Sequence, residues 1–349
     1  MPFLGSAGST SLTSKVNRSA SWNTAAGSLL TTADRTSITN INLSASHPDG
    51  IAISYSVVSG SLPTGLSMNS SGVISGSVGT LSSGQTFNFT IRISATNSPD
   101  ADRAFSIACT LRPDGSDSNH AGTSAATIKA NTGTTTNGYY WVNLPTAGAT
   151  QVYCDMSGAT AWMLAMRATS ADATFGYNAA YWTNNTGLNP TGDPTTAINI
   201  KNGSLWQYFS VTNIRLTASS TASSLTANPT TTFGTFGATL GTIFTSADNS
   251  YSTQVNWSRA SWISWGGTVL GTGDIWGNQP NCNEDRINAS YVYHKVRLGI
   301  SFNNEADCLT NDSGIGIGQW RNALGDRNGP AISFSPDTFR DAHTWMWIN

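Results

Sequence analysis

From Ser37 onward, apolar residues fall at short, regular intervals. Ile38, Ile41 and Leu43 lead to His47-Pro48-Asp49-Gly50, a turn sequence. Residues 51–58 then alternate with the period of two expected of a half-buried strand. Strand-like runs recur at Leu66-Ser67-Met68, Gly72-Val73-Ile74-Ser75, residues 87–93 and Ala104-Phe105-Ser106-Ile107. Turn signals separate them every ~8–12 residues, the spacing of a β-sandwich. Residues 1–20 are rich in Gly, Ser and Thr without hydrophobic periodicity and read as an arm. Arg112-Pro113-Asp114-Gly115-Ser116-Asp117-Ser118-Asn119 reads as a hinge. The pattern thus divides the chain into an arm (1–20), a sandwich (21–112) and a large remainder (113–349).

The remainder opens on two aromatic strand patterns, Gly138-Tyr139-Tyr140-Trp141-Val142-Asn143 and Gln151-Val152-Tyr153-Cys154-Asp155-Met156. They are joined by the turn residues Leu144-Pro145-Thr146-Ala147-Gly148, which predicts a hairpin. Helical periodicity is weak; residues 172–181 and 202–208 are the two candidates. Trp262-Ile263-Ser264-Trp265-Gly266-Gly267 reads as a strand edge, and residues 292–302 as a strand. Eleven of the 12 tryptophans lie beyond residue 112, an inventory that normally fills a core.

Composition narrows the class. Only 10% of residues are charged, against about 25% in ordinary globular proteins, so solubility rests on neutral polar groups, as in extracellular adhesive proteins, lectins and viral fibres. The net charge of −2 offers no basic stripe for phosphates, which argues against nucleic-acid binding. No apolar run approaches the ~20 residues that span a bilayer. The first residues lack the basic and apolar regions of a signal peptide, so the Sec route is not expected. Four cysteines, Cys109, Cys154, Cys282 and Cys308, form no Cys-x-x-Cys motif. Two disulfides in any of three pairings, or buried free thiols, remain open.

Two resemblances accompany these patterns. Tyr55-Ser56-Val57-Val58-Ser59-Gly60-Ser61-Leu62-Pro63-Thr64-Gly65-Leu66, Gly72-Val73-Ile74-Ser75-Gly76 and the strand through Phe89 to Asn97 resemble bacterial cadherin-like, Ig-like modules. The resemblance implies a spacer without catalysis; Asp49, Asp100 and Asp102 do not cluster as interdomain calcium ligands would. The aromatic hairpin with Cys154-Asp155-Met156, followed by Ala161-Trp162-Met163-Leu164-Ala165-Met166-Arg167, resembles the opening of fibrinogen C-terminal-like domains. The implied fold class is mainly β: an N-terminal Ig/cadherin-like β-sandwich followed by an α+β, lectin-like domain. Ala125-Ala126-Thr127-Ile128 stands where that family carries a cysteine, so Cys154 lacks its usual partner. The family's calcium loop and binding segment are absent as well, and no binding residue carries over.

Candidate chemistry therefore comes from the residues themselves. Asn303, Asn304, Glu305, Asp307, Asn311 and Asp312 offer hard oxygen ligands suited to calcium, and they equally suit turns made through their own side-chain hydrogen bonds. A Cys282–Cys308 disulfide would staple this loop. Trp265, Trp276 and Asn278 are the candidates for an exposed sugar platform. His47, His120, His294 and His343 lie in no metal-ligand pattern, and no G-x-S-x-G or phosphate loop occurs. Asp274 with Glu284 is the one carboxylate pair considered for glycoside hydrolysis; the expectation is a non-enzymatic protein. Together these features, with an arm for anchoring, point to a bacteriophage virion adhesin or fibre tip. It would be homotrimeric, held to other virion proteins by its arm and sandwich, and would bind host-surface glycan with calcium as bridging ion. A ligand-free head or tail decoration protein and a secreted fibrinogen-like lectin are the alternatives.

Overall fold

The computed structural model describes residues 18–170, 172–225, 230–247, 250–251, 254–255, 257–270, 281–291, 293–303, 305–311, 313–322, 325–327, 331–334 and 338–349. The expected arm thus lies almost wholly outside the described residues. The chain divides between Arg112 and Pro113 into two compact units.

Among the described residues, the first unit holds nine strands: β1 (Ser21–Trp22), β2 (Gly27–Ala33), β3 (Ile41–Asn42), β4 (Ala45–Ser46), β5 (Ile53–Gly60), β6 (Leu66–Met68), β7 (Val73–Gly76), β8 (Gln85–Ala95) and β9 (Ala101–Thr110). A four-stranded sheet in the order β2-β9-β8-β5 accompanies a three-stranded sheet, β3-β7-β6, with β1-β4 as a small pair. Alternation along β8 and β9 buries Phe89, Ile91, Phe105 and Ile107, which pack with Leu43, Leu66 and Ile74 into one core. The two glycines of the Leu-Pro-x-Gly and Gly-x-Ile-x-Gly motifs meet at the β6–β7 pairing. Gly65 and Gly76 both have positive φ (87° and 128°), and a Cβ on Gly76 would overlap the Gly65 carbonyl. Only glycine fits there. The acidic residues face arginines: Asp49 pairs with Arg18 at 2.9 Å, and Arg92 holds Asp102 at 2.8 Å and Asp100 at 3.5 Å.

The second unit opens on α1 (Ala125–Thr132), β10 (Gly138–Leu144), β11 (Gly148–Asp155), β12 (Trp162–Ala168) and β13 (Ile200–Lys201). Next come α2 (Gly203–Tyr208), β14 (Ser210–Ser219), β15 (Thr230–Thr239), α3 (Leu240–Thr245) and α4 (Arg259–Leu270). The remaining strands are β16 (Asn281–Ser290), β17 (His294–Asn303), β18 (Ser313–Arg321), β19 (Gly325–Arg327), β20 (Ala331–Phe334), β21 (Thr338–Asp341) and β22 (His343–Ile348). They form a seven-stranded sheet, β10-β11-β12-β22-β14-β15 with β13 on β12, and a six-stranded sheet, β16-β17-β18-β20-β21 with β19 on β18.

The aromatic hairpin forms as its sequence predicts, with Gly138 opposite Cys154 and Leu144 opposite Gly148. Its even-numbered residues Val142, Leu144, Val152 and Cys154 enter the core, where Trp206 stacks on Phe244 at 5.3 Å. On another part of the sheet, Arg215 lies over the rings of Trp162 (4.7 Å) and Trp347 (4.9 Å) and pairs with Asp155 at 2.7 Å. A buried guanidinium of this kind is tolerable only because it is both paired and stacked.

Three expectations are corrected. The segment read as a hinge is folded into the second unit beyond Pro113: Gly115 accepts from Trp141 N, and Asp117 caps the buried His120 at 2.8 Å. Residues 172–181 do not form one helix: Asp172 accepts from Thr174 N and Oγ1 and closes a turn, and a short 3-10 helix follows at Ala180–Trp182. The stretch Trp262–Gly267 is helical, within α4, and not a strand edge. Ser258 Oγ accepts from Ser261 N at its start, and Trp262 and Trp265, three positions apart, share its buried face.

Candidate ligand-binding site

Within the candidate calcium loop, the Asp307 carboxylate is satisfied by its own neighbours. Asp307 Oδ1 accepts from Leu309 N (2.9 Å) and its Oδ2 from Thr310 Oγ1 (3.0 Å), while Asn303 Nδ2 donates to Asp307 O (2.7 Å). Glu305 is exposed and Asn311 fully buried. Asn304 and Asp312 lie outside the described residues. Among the described residues, no group of three or more His, Cys, Asp or Glu side chains is placed to hold a metal ion. Cys282 and Cys308 are joined in a disulfide, and Cys109 and Cys154 are buried free thiols. Burial pushes the Cys154 thiol well above its ordinary range.

Of the sugar-platform candidates, Trp276 and Asn278 lie outside the described residues, as does Asp274. Glu284 sits on β16 opposite Ser301. Trp265 is 2% exposed, packed edge-on against Trp262 at 5.7 Å. Burial removes it from any surface role. The histidines are held by neighbours: His47 by Arg18 O and Ser98, His120 by Asp117, and His343 by Ser170 N. His294 is enclosed between Ser301 and Gln319.

A different surface brings together the right chemistry. A groove of about 350 Å³ lies where β11 meets the start of α2. Trp141, half-buried on β10 opposite Gln151, forms its aromatic wall. Gln151, Asn185, Thr191 and Ser204 surround it, and their side chains have no hydrogen-bond partner among the described residues. Among the described residues, no lining residue is charged.

Three interactions fix this arrangement. Asn202 caps α2 by accepting from Leu205 N (3.0 Å) and donates to Gln151 O (3.3 Å), tying the helix to β11. Tyr139 OH donates to Gly192 O (2.6 Å), holding the loop that carries Pro190 and Thr191. Burial, with Tyr153 and Asp193 nearby, pushes its phenol up to about 12, so it remains a donor across the physiological range. Lys201, fully buried over the Trp206 ring (4.5 Å), donates to the Tyr181 and Asn184 carbonyls and anchors the turn that ends in Asn185. Burial lowers its amine to about 8. The glycine at 203 is required sterically, since a Cβ there would overlap Asn185 O. A shallow depression of about 440 Å³ on the four-stranded sheet of the first unit is less suited to a ligand. Its aromatic members, Phe89 and Phe105, are buried in the core beneath.

Trp141 lay within the motif that first marked the second unit, yet sequence gave no sign of its exposure. Asn185, Thr191 and Ser204 carried no signal at all, because they reach the groove from a loop and a helix distant in sequence.

Residues 20–110 match the family model described as "Putative Ig domain". Unit one is an Ig/cadherin-like sandwich. Solved structures similar to part of the chain include Drosophila N-cadherin EC1-4, at 10% identity and a TM-score of 0.24, covering 27% of this chain and 25% of that one. Human protocadherin-24 EC1-2 shares 19% identity at a TM-score of 0.23, over 28% of this chain and 46% of that one. A SusE-like surface-located polysaccharide-binding protein from Bacteroides thetaiotaomicron shares 16% at 0.20, over 27% and 16%. The chain thus spans less than half the length of each. Comparison with curated proteins gives no match.

Proposed function

We propose that this chain is a non-enzymatic recognition protein in which an Ig/cadherin-like spacer accompanies a glycan-binding unit. The groove at Trp141 carries the reading. An aromatic face supplies apolar contact for the C–H face of a sugar ring, and unpartnered amides and hydroxyls supply the hydrogen bonds that its hydroxyls require. The lining offers amide and hydroxyl oxygens but no carboxylate, and metal-independent binding at this groove is part of the proposal. The fibrinogen-like affinity of the second unit is part of the proposal, supported by the paired aromatic hairpin and the adjoining strand at Trp162–Ala168.

The biological setting we favour is a bacteriophage virion fibre or adhesin, homotrimeric, attached to other virion proteins through its N-terminal region and directed at host-surface glycan. A low-charge, Gly/Ser/Thr/Asn-rich composition supports it. Glycan-array binding of the full chain, with and without chelator, tests the function. Trp141→Ala should abolish the signal without lowering the melting temperature, and chelator should leave the wild-type signal intact. Absence of any glycan signal, or equal binding by Trp141→Ala, overturns the reading. Mass spectrometry of purified particles tests the virion assignment.

A further inference from the structure

A second opening borders the first. About 720 Å³ of open space lies at the tip of the aromatic hairpin, lined by Asn143, Pro145, Thr146, Tyr208 and Phe209 among others. Gly148 lines this opening, and Ala149, the next residue of β11, lines the Trp141 groove. Likewise Ser204 faces one and Tyr208 the other, at the two ends of the single short helix α2. Asn143 of the second lining and Ala149 of the first are cross-strand partners, so the two linings meet along the seam between β11 and α2. The seam over Gly148 to Gln151 is ~10 Å of strand at about 3.3 Å per residue, longer than one sugar ring.

The second opening repeats the chemistry of the first. Tyr208 and Phe209 are half-buried aromatics packed on the core, which fixes their rings. Asn143, Tyr208 and Ser210 have no side-chain partner among the described residues, and no lining side chain is charged. An anionic glycan would find no cation to pair with in either opening, and would have to shed its hydration without compensation. A ligand confined to the Trp141 groove would leave the aromatic pair at 208–209 uncovered.

We propose that the seam is one extended site for a neutral, linear oligosaccharide, with Trp141 holding one end and Tyr208 the other. This rests on the glycan-binding reading above and adds to it the ligand's length and lack of charge. The test is titration calorimetry of the full chain with neutral glucose-, mannose- and N-acetylglucosamine-based oligosaccharides of increasing length, from single rings upward. In at least one series, affinity should rise about tenfold or more on passing from one ring to several, the gain expected from one or two added contacts. Tyr208→Ala should remove that gain while leaving the short-ligand affinity unchanged. Because Tyr208 also touches the core, Asn143→Ala, an exposed change, serves as the second variant and should cut the gain in part. Affinity independent of length, or a length gain that survives both substitutions, overturns the extended site but leaves the Trp141 groove standing. Binding restricted to anionic sugars, or to none, overturns both.

Discussion

Acidification should destabilise the second unit through a single imidazole. His294 is fully buried; its Nε2–H donates to Gln319 Oε1 (3.0 Å) and its Nδ1 accepts from Ser301 Oγ (2.8 Å). Gln319 Nε2 donates in turn to Gly316 O (2.9 Å), which sets the amide orientation and with it the imidazole tautomer. Burial is the main force lowering His294 from 6.5 to about 4; the Gln319 hydrogen bond opposes it and the Arg321 charge adds to it. Between those values the unfolded chain takes up a proton that the folded chain refuses. Stability is therefore complete above 6.5 and falls as pH falls through the window. At ~1.4 kcal/mol per pH unit, the loss reaches about 2 kcal/mol by pH 5. For a unit of this size that is a drop of roughly 4–8 °C in melting temperature. Differential scanning calorimetry of the full chain reads it, with tryptophan fluorescence marking the transition of the second unit, which holds 11 of the 12 tryptophans. His294→Gln cannot titrate; it should melt lower at neutral pH and lose the slope within this window. A wild-type transition that stays flat from pH 7 to 5, or a slope unchanged in His294→Gln, refutes the reasoning.

Two further outcomes follow from local geometry. Reducing Cys282–Cys308, which closes a separation of 26 residues, should lower the stability of the second unit by about 3–4 kcal/mol on loop-entropy grounds. Melting with and without reductant checks this, and the transition of the Ig-like unit, whose Cys109 is a free thiol, should not move. Gly203→Ala would drive a Cβ into Asn185 O and within 2.8 Å of Gly187 N, costing roughly 1–3 kcal/mol. It should also displace Asn185 and weaken glycan binding; an unchanged melting point together with unchanged binding counts against the packing described.

What could be read in advance divides by the range of the interactions involved. The hairpin was legible because turn chemistry at 144–148 and the aromatic strand patterns on either side are local properties. The same holds for β8 and β9; α2 falls on the helix candidate at 202–208, and Asn202 caps it. The helix through Trp262 and Trp265 was misread because glycines and a β-rich context outweighed a serine cap and an i, i+3 aromatic pair that pointed the other way. Exposure was the harder quantity. Trp141 and Trp265 are chemically alike, and only the long-range packing of α2, α4 and the loop before β13 puts one in a groove and the other in a core. The turn reading of Asp307 was available from its own neighbours, since a carboxylate two residues ahead of a free N–H satisfies it locally.

The position of β22 bears on how the molecule comes into being. Residues 343–348 pair with β12 on one side and β14 on the other, and the partners on β12 are about 180 residues earlier in the chain. A ribosome adding ~5–20 residues per second would need about 10–40 s to bridge that interval. Throughout it, the buried strand Trp162–Ala168 would wait with one edge open and its apolar side chains uncovered. The sheet is completed by a late, long-range insertion, a topology associated with slow folding. Nascent chains therefore pass through a sticky interval, and the yield of soluble protein should depend on chaperone supply and on the rate of synthesis.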